Sequence, residues 1–180
     1  MAKTGLSDID SQVLAFLCKE GFLNRYEITE KGREALAALL LCFPRFHEGR
    51  WGKAFIPLMS RCVPACVELA VIRDGKVLLM HRNDKFFHGY HTPGTYIGPG
   101  ESYQESAQRC ADKEIKCKVR VGEVIGVFSH PDSSRFHDLS VLLLCELVEG
   151  TPQMGEWFSE CPADLIAVHK PYWPVIAARL

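Results

Sequence analysis

A chain of 180 residues suits one domain of ordinary size, or one domain with a small appendage. Its 47% hydrophobic and 24% charged residues make a soluble globular composition, with ample apolar surface for a core. A formal net charge of −1 at pH 7 excludes a global field that would recruit nucleic acid or anionic lipid.

The chain opens with "LSDIDSQVLAFLCKEGFL", where capping residues precede Val13, Leu14, Leu17 and Cys18 at helical spacing and Gly21 supplies a stop. "RYEI" reads as a short strand. Thr29 caps a second helix, "EKGREALAALLLCF", which Pro44 ends. Leu14, Leu17, Leu36, Leu39 and Leu40 are more apolar surface than so short a segment hides alone. The segment is therefore expected to pack on the main domain or across a subunit interface, which makes a homodimer an expectation. Residues 42–64 hold Pro44, Pro57 and Pro64 and read as a connector. The division is a helical extension and linker over 1–60 and a main domain over 61–180.

From Cys66 the texture changes. "CVELAVI" and "KVLLMHR" are apolar, β-branched runs joined by Arg73-Asp74-Gly75, a hairpin signal. A loop rich in aromatics and glycine follows, "NDKFFHGYHTPGTYIGPGE". Ser102 with Glu105 three residues on is a capping box opening a helix to about Ile115. Ala107, Ala111 and Ile115 share a core-facing stripe with Tyr103, and Cys110, Lys113 and Glu114 form an i, i+3, i+4 triplet beside it. "RVGEVIGVFS" and "LSVLLLCELVE" are strands flanking the loop "HPDSSRFHD". "EWFSECPADLIAVHKPYWPVIAARL" gives a short strand and a closing helix with Pro171 near its start.

The longest apolar runs, "ALAALLLCF" and "LSVLLLCEL", are too short to span a bilayer. No basic start, apolar run and cleavage site combine into a secretory signal, so the expected location is the cytoplasm, with no membrane partner. The eight cysteines are then expected to be reduced and to pack as small hydrophobes. Cys62 and Cys66 lack a second pair to complete a zinc pattern.

Gly94 to Cys117, lying between a hairpin and further strands, resembles the Nudix hydrolase box. That box reads Gly, five residues, Glu, seven residues, Arg-Glu, an aliphatic, any residue, Glu-Glu, any residue, Gly, then an aliphatic. Glu101 takes the first Glu, Arg109 the Arg, Ala111 the aliphatic and Glu114 the last Glu. Pro93-Gly94 and Pro99-Gly100-Glu101-Ser102 fall on the family's turns, and Tyr90 falls where the family often has Trp. The similarity runs from about Cys66 to Leu180, with "VFSHPDSSRFHDLSV" and "EWFSECPADL" similar to the ADP-ribose-pyrophosphatase-like branch. It implies an α/β fold, an α/β/α sandwich around a mixed sheet. It also implies Glu101, Arg109 and Glu114 as the catalytic set and Glu114 with Glu101 as ligands of Mg²⁺. Tyr90, Gly94, Arg135 and His137 are then candidates for contact with a nucleotide-type substrate. Separately, residues 21–39 resemble the end of a winged-helix domain. The helices that would complete a helix-turn-helix and a basic recognition face are missing, so nucleic acid is not an expected partner.

The departures fall on the chemistry. Thr95 stands for the opening Gly, Cys110 for a ligand Glu, Lys113 for the next Glu and Lys116 for the late Gly. Formal charge at 101, 110, 113 and 114 goes from −4 in the family pattern to −1 here. A thiol is a poor ligand for Mg²⁺. Two unit charges ~4 Å apart interact by roughly 4 kcal/mol at an effective dielectric of ~20, so a facing lysine repels a divalent ion strongly. The expectation is a cleft for a nucleoside-diphosphate-type ligand with weak or absent Mg²⁺ occupancy and with hydrolysis weak or lost. Two alternatives stay open. One is an active Mg²⁺-dependent pyrophosphohydrolase of ADP-ribose or a related compound that recruits Glu149, Glu156 or Glu160. The other is a ligand-sensing regulatory module. His88 and His91 read as loop decoration, and Phe86, Phe87 and Tyr90 either stack on a base or pack beneath the loop.

Overall fold

The computed structural model describes residues 15, 17–24, 27–41 and 59–180. The chain separates into two units, Met1–Pro44 and Arg45–Leu180. In the first, the helical turn before Gly21 ends where that residue takes φ 75°, with Gly21 N–H donating to the Cys18 carbonyl and Phe22 N–H to that of Leu17. β1 (Leu23–Asn24) and β2 (Glu27–Ile28) pair antiparallel. α1 (Glu30–Leu41) starts as expected at Thr29, whose hydroxyl oxygen accepts from Gly32 N–H at 3.1 Å. Of the apolar residues expected to need cover, Leu36 is exposed. Val13, Leu14 and the side chains of Leu39 and Leu40 lie outside the described residues, as does most of the expected connector.

The second unit is built on a mixed sheet. Its elements are β3 (Ala65–Arg73), β4 (Lys76–Asn83), β5 (His88–His91), β6 (Gly94–Tyr96), β7 (Lys118–His130), β8 (Asp138–Glu149) and β9 (Glu156–Phe158). The strand order is β5-β4-β3-β8-β7, with β6 added to β3 and β9 to β4. β3 runs parallel to β8 and antiparallel to β4. Asp74 and Gly75 both have positive φ, 53° and 68°, which is the type I′ geometry that the Asp-Gly pair predicts. The stretch expected to be one long loop is instead interrupted by β5 and β6. His88-Gly89-Tyr90-His91 pairs with β4 and Gly94-Thr95-Tyr96 pairs with β3.

Both faces of the central strands are apolar, so two cores form. Val67, Leu69, Val71, Leu78, Leu143 and Cys145 face α2 (Tyr103–Cys110) and the turn after it. Ala70, Val77, Leu79 and Leu142 face the C-terminal segment, where Leu165, Tyr172 and Ile176 close over them. That segment is a 3₁₀ stretch, Ala167–Tyr172, followed by α3 (Trp173–Ala177). Pro171 sits inside the 3₁₀ turn rather than at the start of a longer helix. The result is the expected α/β/α sandwich. Among the described residues no helix is long and apolar enough to cross a membrane.

The box helix departs from the expected single α-helix. After Cys110 the backbone widens into a π-helical turn, Ala111–Ile115, and ends at Lys116 in the left-handed region at φ 58°. A left-handed residue at that point favours glycine, which gives the family's late Gly its reason and leaves Lys116 in a costly conformation. The stripe Ala107, Ala111 and Ile115 is fully buried as expected, whereas Tyr103 turns out to be exposed.

Candidate functional site

β3, β6, the π turn, the β7–β8 loop and the C-terminal segment surround a cleft of about 560 Å³. Of the residues singled out from the sequence, Gly94, Glu114 and Arg135 line it, and so do Lys113, Thr95, Phe87 and His91. Glu101, Arg109, Tyr90 and His137 are not among its lining residues.

Glu101 is committed to the loop. Arg109 holds it through two parallel contacts, Nε to Oε1 at 2.9 Å and Nη2 to Oε2 at 2.8 Å. Oε2 also accepts from Gly98 N–H and from the Ser106 hydroxyl, each at 2.9 Å. Arg109 continues to the Tyr96 carbonyl and the Thr95 hydroxyl. These bonds, the guanidinium's first, hold the Glu101 carboxyl down at about 2. The pair is the pin that ties the loop to α2.

Glu114 opens on the cleft. Its Oε2 accepts from Gly94 N–H at 3.2 Å, and burial pushes its pKa above the ordinary carboxylate value, against the pull of that bond and of Lys113. Cys110 is 1% exposed and packed among the residues of the first core. Burial, together with the nearby Glu114 and Glu68, keeps its thiol protonated.

Arg135 reaches into the cleft from the β7–β8 loop. Its guanidinium carbon lies 5.5 Å from the ring centres of Phe87 and Tyr96 and 5.2 Å from that of Phe136. Its Nε is buried with no hydrogen-bond partner. A guanidinium caged by rings keeps its charge and loses water, so it offers its N–H groups to an anion with little competition. His137 instead pairs through Nε2 with the Ser129 hydroxyl at 2.9 Å. The Tyr90 hydroxyl donates to Glu156 at 2.8 Å, and its ring packs against Phe158 and His81. Phe86 and Phe87 follow Asp84, whose Oδ1 accepts both of their N–H groups.

A set of polar residues not singled out from the sequence forms the cleft floor. Glu68, His130, Asp138, Ser140 and His169 are all buried. Cys66 Sγ lies 3.1 Å from Ser140 Oγ, and the His130 ring meets the Tyr172 hydroxyl at 2.7 Å. Burial pushes Asp138 up and His130 down. His91, expected at the surface, also lines the cleft and is driven by burial to about 4. The signal available in advance was Glu68 itself, a charged residue inside the otherwise apolar run "CVELAVI".

Gly94 stands between two of the cleft's carboxyl groups, Glu68 and Glu114. A β-carbon there would stand 2.4 Å from Glu68 Oε2, while its N–H holds Glu114. Gly94→Ala is therefore expected to displace Glu68 and to lower stability by about 1–3 kcal/mol. Chemical denaturation checks this, and an unchanged midpoint would show that Glu68 yields freely.

The NUDIX domain family model matches residues 66–177. An ADP-ribose pyrophosphatase of Methanocaldococcus jannaschii is 28% identical over 92 residues, covering 50% of this chain and 54% of that protein. The chain thus spans about half the length of this curated relative. The crystal structure of an ADP-ribose pyrophosphatase from Streptococcus suis 89-1591 is similar with a TM-score of 0.54. Its identity is 18%, over 66% of this chain and 92% of that one. A MutT NUDIX hydrolase from Burkholderia pseudomallei gives a TM-score of 0.56 at 19% identity, over 64% and 96% of the two chains. These two structures share the fold, and the family model covers most of the sheet and every element around the cleft. The chain belongs to the NUDIX domain family.

Proposed function

We propose that the cleft binds a nucleoside-diphosphate-type ligand and that its metal-dependent hydrolysis is weak or lost. The observation that carries this reading is the chemistry of the π-turn face. The three helix positions that carry glutamate in the box, the last residue of α2 and two of the π turn, present a buried thiol at Cys110, an ammonium at Lys113 and one carboxylate at Glu114.

Nudix hydrolases generally use divalent metals such as Mg²⁺, and this donor set does not fit one. Mg²⁺ needs several oxygen ligands in near-octahedral array. Glu101 has its oxygens taken by Arg109, Gly98 and Ser106. Among the described residues, no three His, Cys, Asp or Glu side chains come together in a metal-holding group. Glu149, Glu156 and Glu160 are exposed and outside the cleft lining. Ligand binding is supported by Arg135, whose caged guanidinium suits a phosphate oxygen. The name of the Methanocaldococcus relative makes ADP-ribose the first compound to try.

The active-enzyme reading has one observation in its favour. Glu68 and Asp138 add two carboxyl groups to the cleft beside Glu114. A turnover assay with ADP-ribose, with and without millimolar Mg²⁺ or Mn²⁺, decides. We expect no metal-stimulated turnover, and a melting temperature that moves little between chelator and Mg²⁺. Turnover at ordinary enzymatic rates of about 1–10³ per second would establish the active enzyme instead.

A further inference from the structure

The cleft carries both signs of charge, at different depths. Glu68 and Asp138 are buried. Glu68 accepts from the Thr92 hydroxyl at 2.5 Å and Glu114 from Gly94 N–H at 3.2 Å. Lys113 is exposed and Arg135 is half-buried. An anion entering from solvent therefore reaches these two cations before the buried carboxyl groups.

The Lys and Arg side chains that line the cleft are Arg82, Lys113 and Arg135. Arg82 is neutralised within the protein, with its Nε donating to Asp84 Oδ2 at 2.5 Å. Among the described residues no such ion pair holds Lys113 or Arg135. Lys113 is near enough to the Glu114 carboxyl for its charge to act on it, but its exposed ammonium is screened by water. Arg135 is fixed by its surroundings instead. The Ser134 hydroxyl donates to the Phe86 carbonyl at 3.0 Å, which ties the β7–β8 loop to the turn between β4 and β5. Asp84 Oδ1 holds Phe87 N–H in that turn, and the Phe87 ring is one wall of the guanidinium cage. A guanidinium already held in place loses little freedom when it meets an anion.

We propose that the cleft takes the diphosphate of its ligand without a metal ion, with Arg135 as the fixed anchor and Lys113 as the second cation. The proposal rests on the nucleotide-binding reading and adds how the ligand's charge is met. In a metal-dependent site carboxylates recruit a cation and the cation recruits the phosphates. Here a box position that would carry a carboxylate carries an ammonium, so the cation belongs to the chain itself. A guanidinium fork suits a pair of phosphate oxygens, and a lysine on its flexible stem suits the charge of either phosphate.

The test is calorimetric titration with ADP-ribose at low salt, once with a chelator and once with millimolar Mg²⁺ or Mn²⁺. Wild type is expected to bind with affinities within about twofold of each other in the two conditions. Lys113→Met is expected to bind about tenfold more weakly with an unchanged melting temperature, since the side chain is exposed. Lys113→Arg restores the charge and should bind within about threefold of wild type. Arg135→Lys keeps the charge and loses the planar fork, and is expected to bind about fivefold more weakly. Wild-type affinity should fall as salt is added, and the fall should be shallower in Lys113→Met. ADP-ribose binding that requires Mg²⁺ or Mn²⁺ overturns the proposal and leaves the nucleotide reading standing. Metal-free binding that is indifferent to either Lys113→Met or Arg135→Lys, or that Lys113→Arg weakens as much as Lys113→Met does, also overturns it. No binding in either condition overturns the nucleotide reading, and the proposal with it.

Discussion

Replacing Arg109 by leucine is expected to lower stability by about 3 kcal/mol and to free the loop between Gly94 and Glu101. The guanidinium supplies both of its contacts to Glu101 and reaches two further groups of β6. The Arg109 and Glu101 side chains are 17% and 10% exposed, so the stranded carboxylate would keep little water. For a chain of this length such a loss corresponds to a fall of about 6–12 °C in melting temperature. The acid dependence gives a separate readout. Glu101 is depressed from 4.5 to about 2, so its contribution is complete above the ordinary carboxylate value and disappears as pH falls through the folded one. Wild type should therefore lose stability between about pH 4.5 and 2, and Arg109→Leu should show a flatter profile there. Hydrogen exchange should quicken at Gly98 and its neighbours. A variant with wild-type melting and wild-type acid sensitivity would mean that the pair contributes no net stability.

The strands were legible because each is an apolar run bounded by turn chemistry. Asp74-Gly75 has the positive φ angles that its residues allow, and Ser102 with Glu105 forms the reciprocal cap expected of that spacing. Glu101 and Arg109 were legible as positions of the box, and the structure joins them although Glu101 precedes α2 and Arg109 stands in its last turn. What escaped were features decided by tertiary pairing. β5 and β6 are short, and their hydrogen bonds come from β4 and β3 rather than from any local pattern. The π turn widens one loop of helix without changing residue type. The cleft floor draws Glu68 from β3, Asp138 from β8 and His169 from the C-terminal segment. No spacing rule links residues that meet only when parallel strands and a terminal turn converge. Tyr90 shows the converse, since a position matched by family spacing here carries a ring that packs on Phe158 and a hydroxyl bonded to Glu156.

The double change Cys110→Glu with Lys113→Glu is expected to create a stronger Mg²⁺ site. Each half alone is unfavourable. Cys110 lies in the core at 1% exposure, close enough to Glu114 and Glu68 for their charges to act on it. A glutamate there must desolvate or reach out into the cleft, at a cost of about 2–4 kcal/mol without a cation. Lys113→Glu removes the charge that pulls the Glu114 carboxyl down, so Glu114 and its new neighbour repel, and the protein should be less stable at neutral than at mildly acid pH. Together the substitutions place three carboxylates on one turn, and a bound divalent ion neutralises what each introduces. The effects should be non-additive, with the coupling seen when Mg²⁺ is present. At a free Mg²⁺ concentration about 100 times the dissociation constant, binding stabilises by roughly 2.7 kcal/mol, or about 5–11 °C in melting temperature. On the proposed reading wild type under the same conditions should move little, because Lys113 lines the same cleft and repels a cation. Isothermal titration with Mg²⁺ alone gives the dissociation constant without any substrate. If the double variant binds Mg²⁺ no better than wild type, the proposed weakness of the metal site does not lie in these two residues. A wild type that already shows the large melting shift would place the metal on Glu68, Glu114 and Asp138 instead.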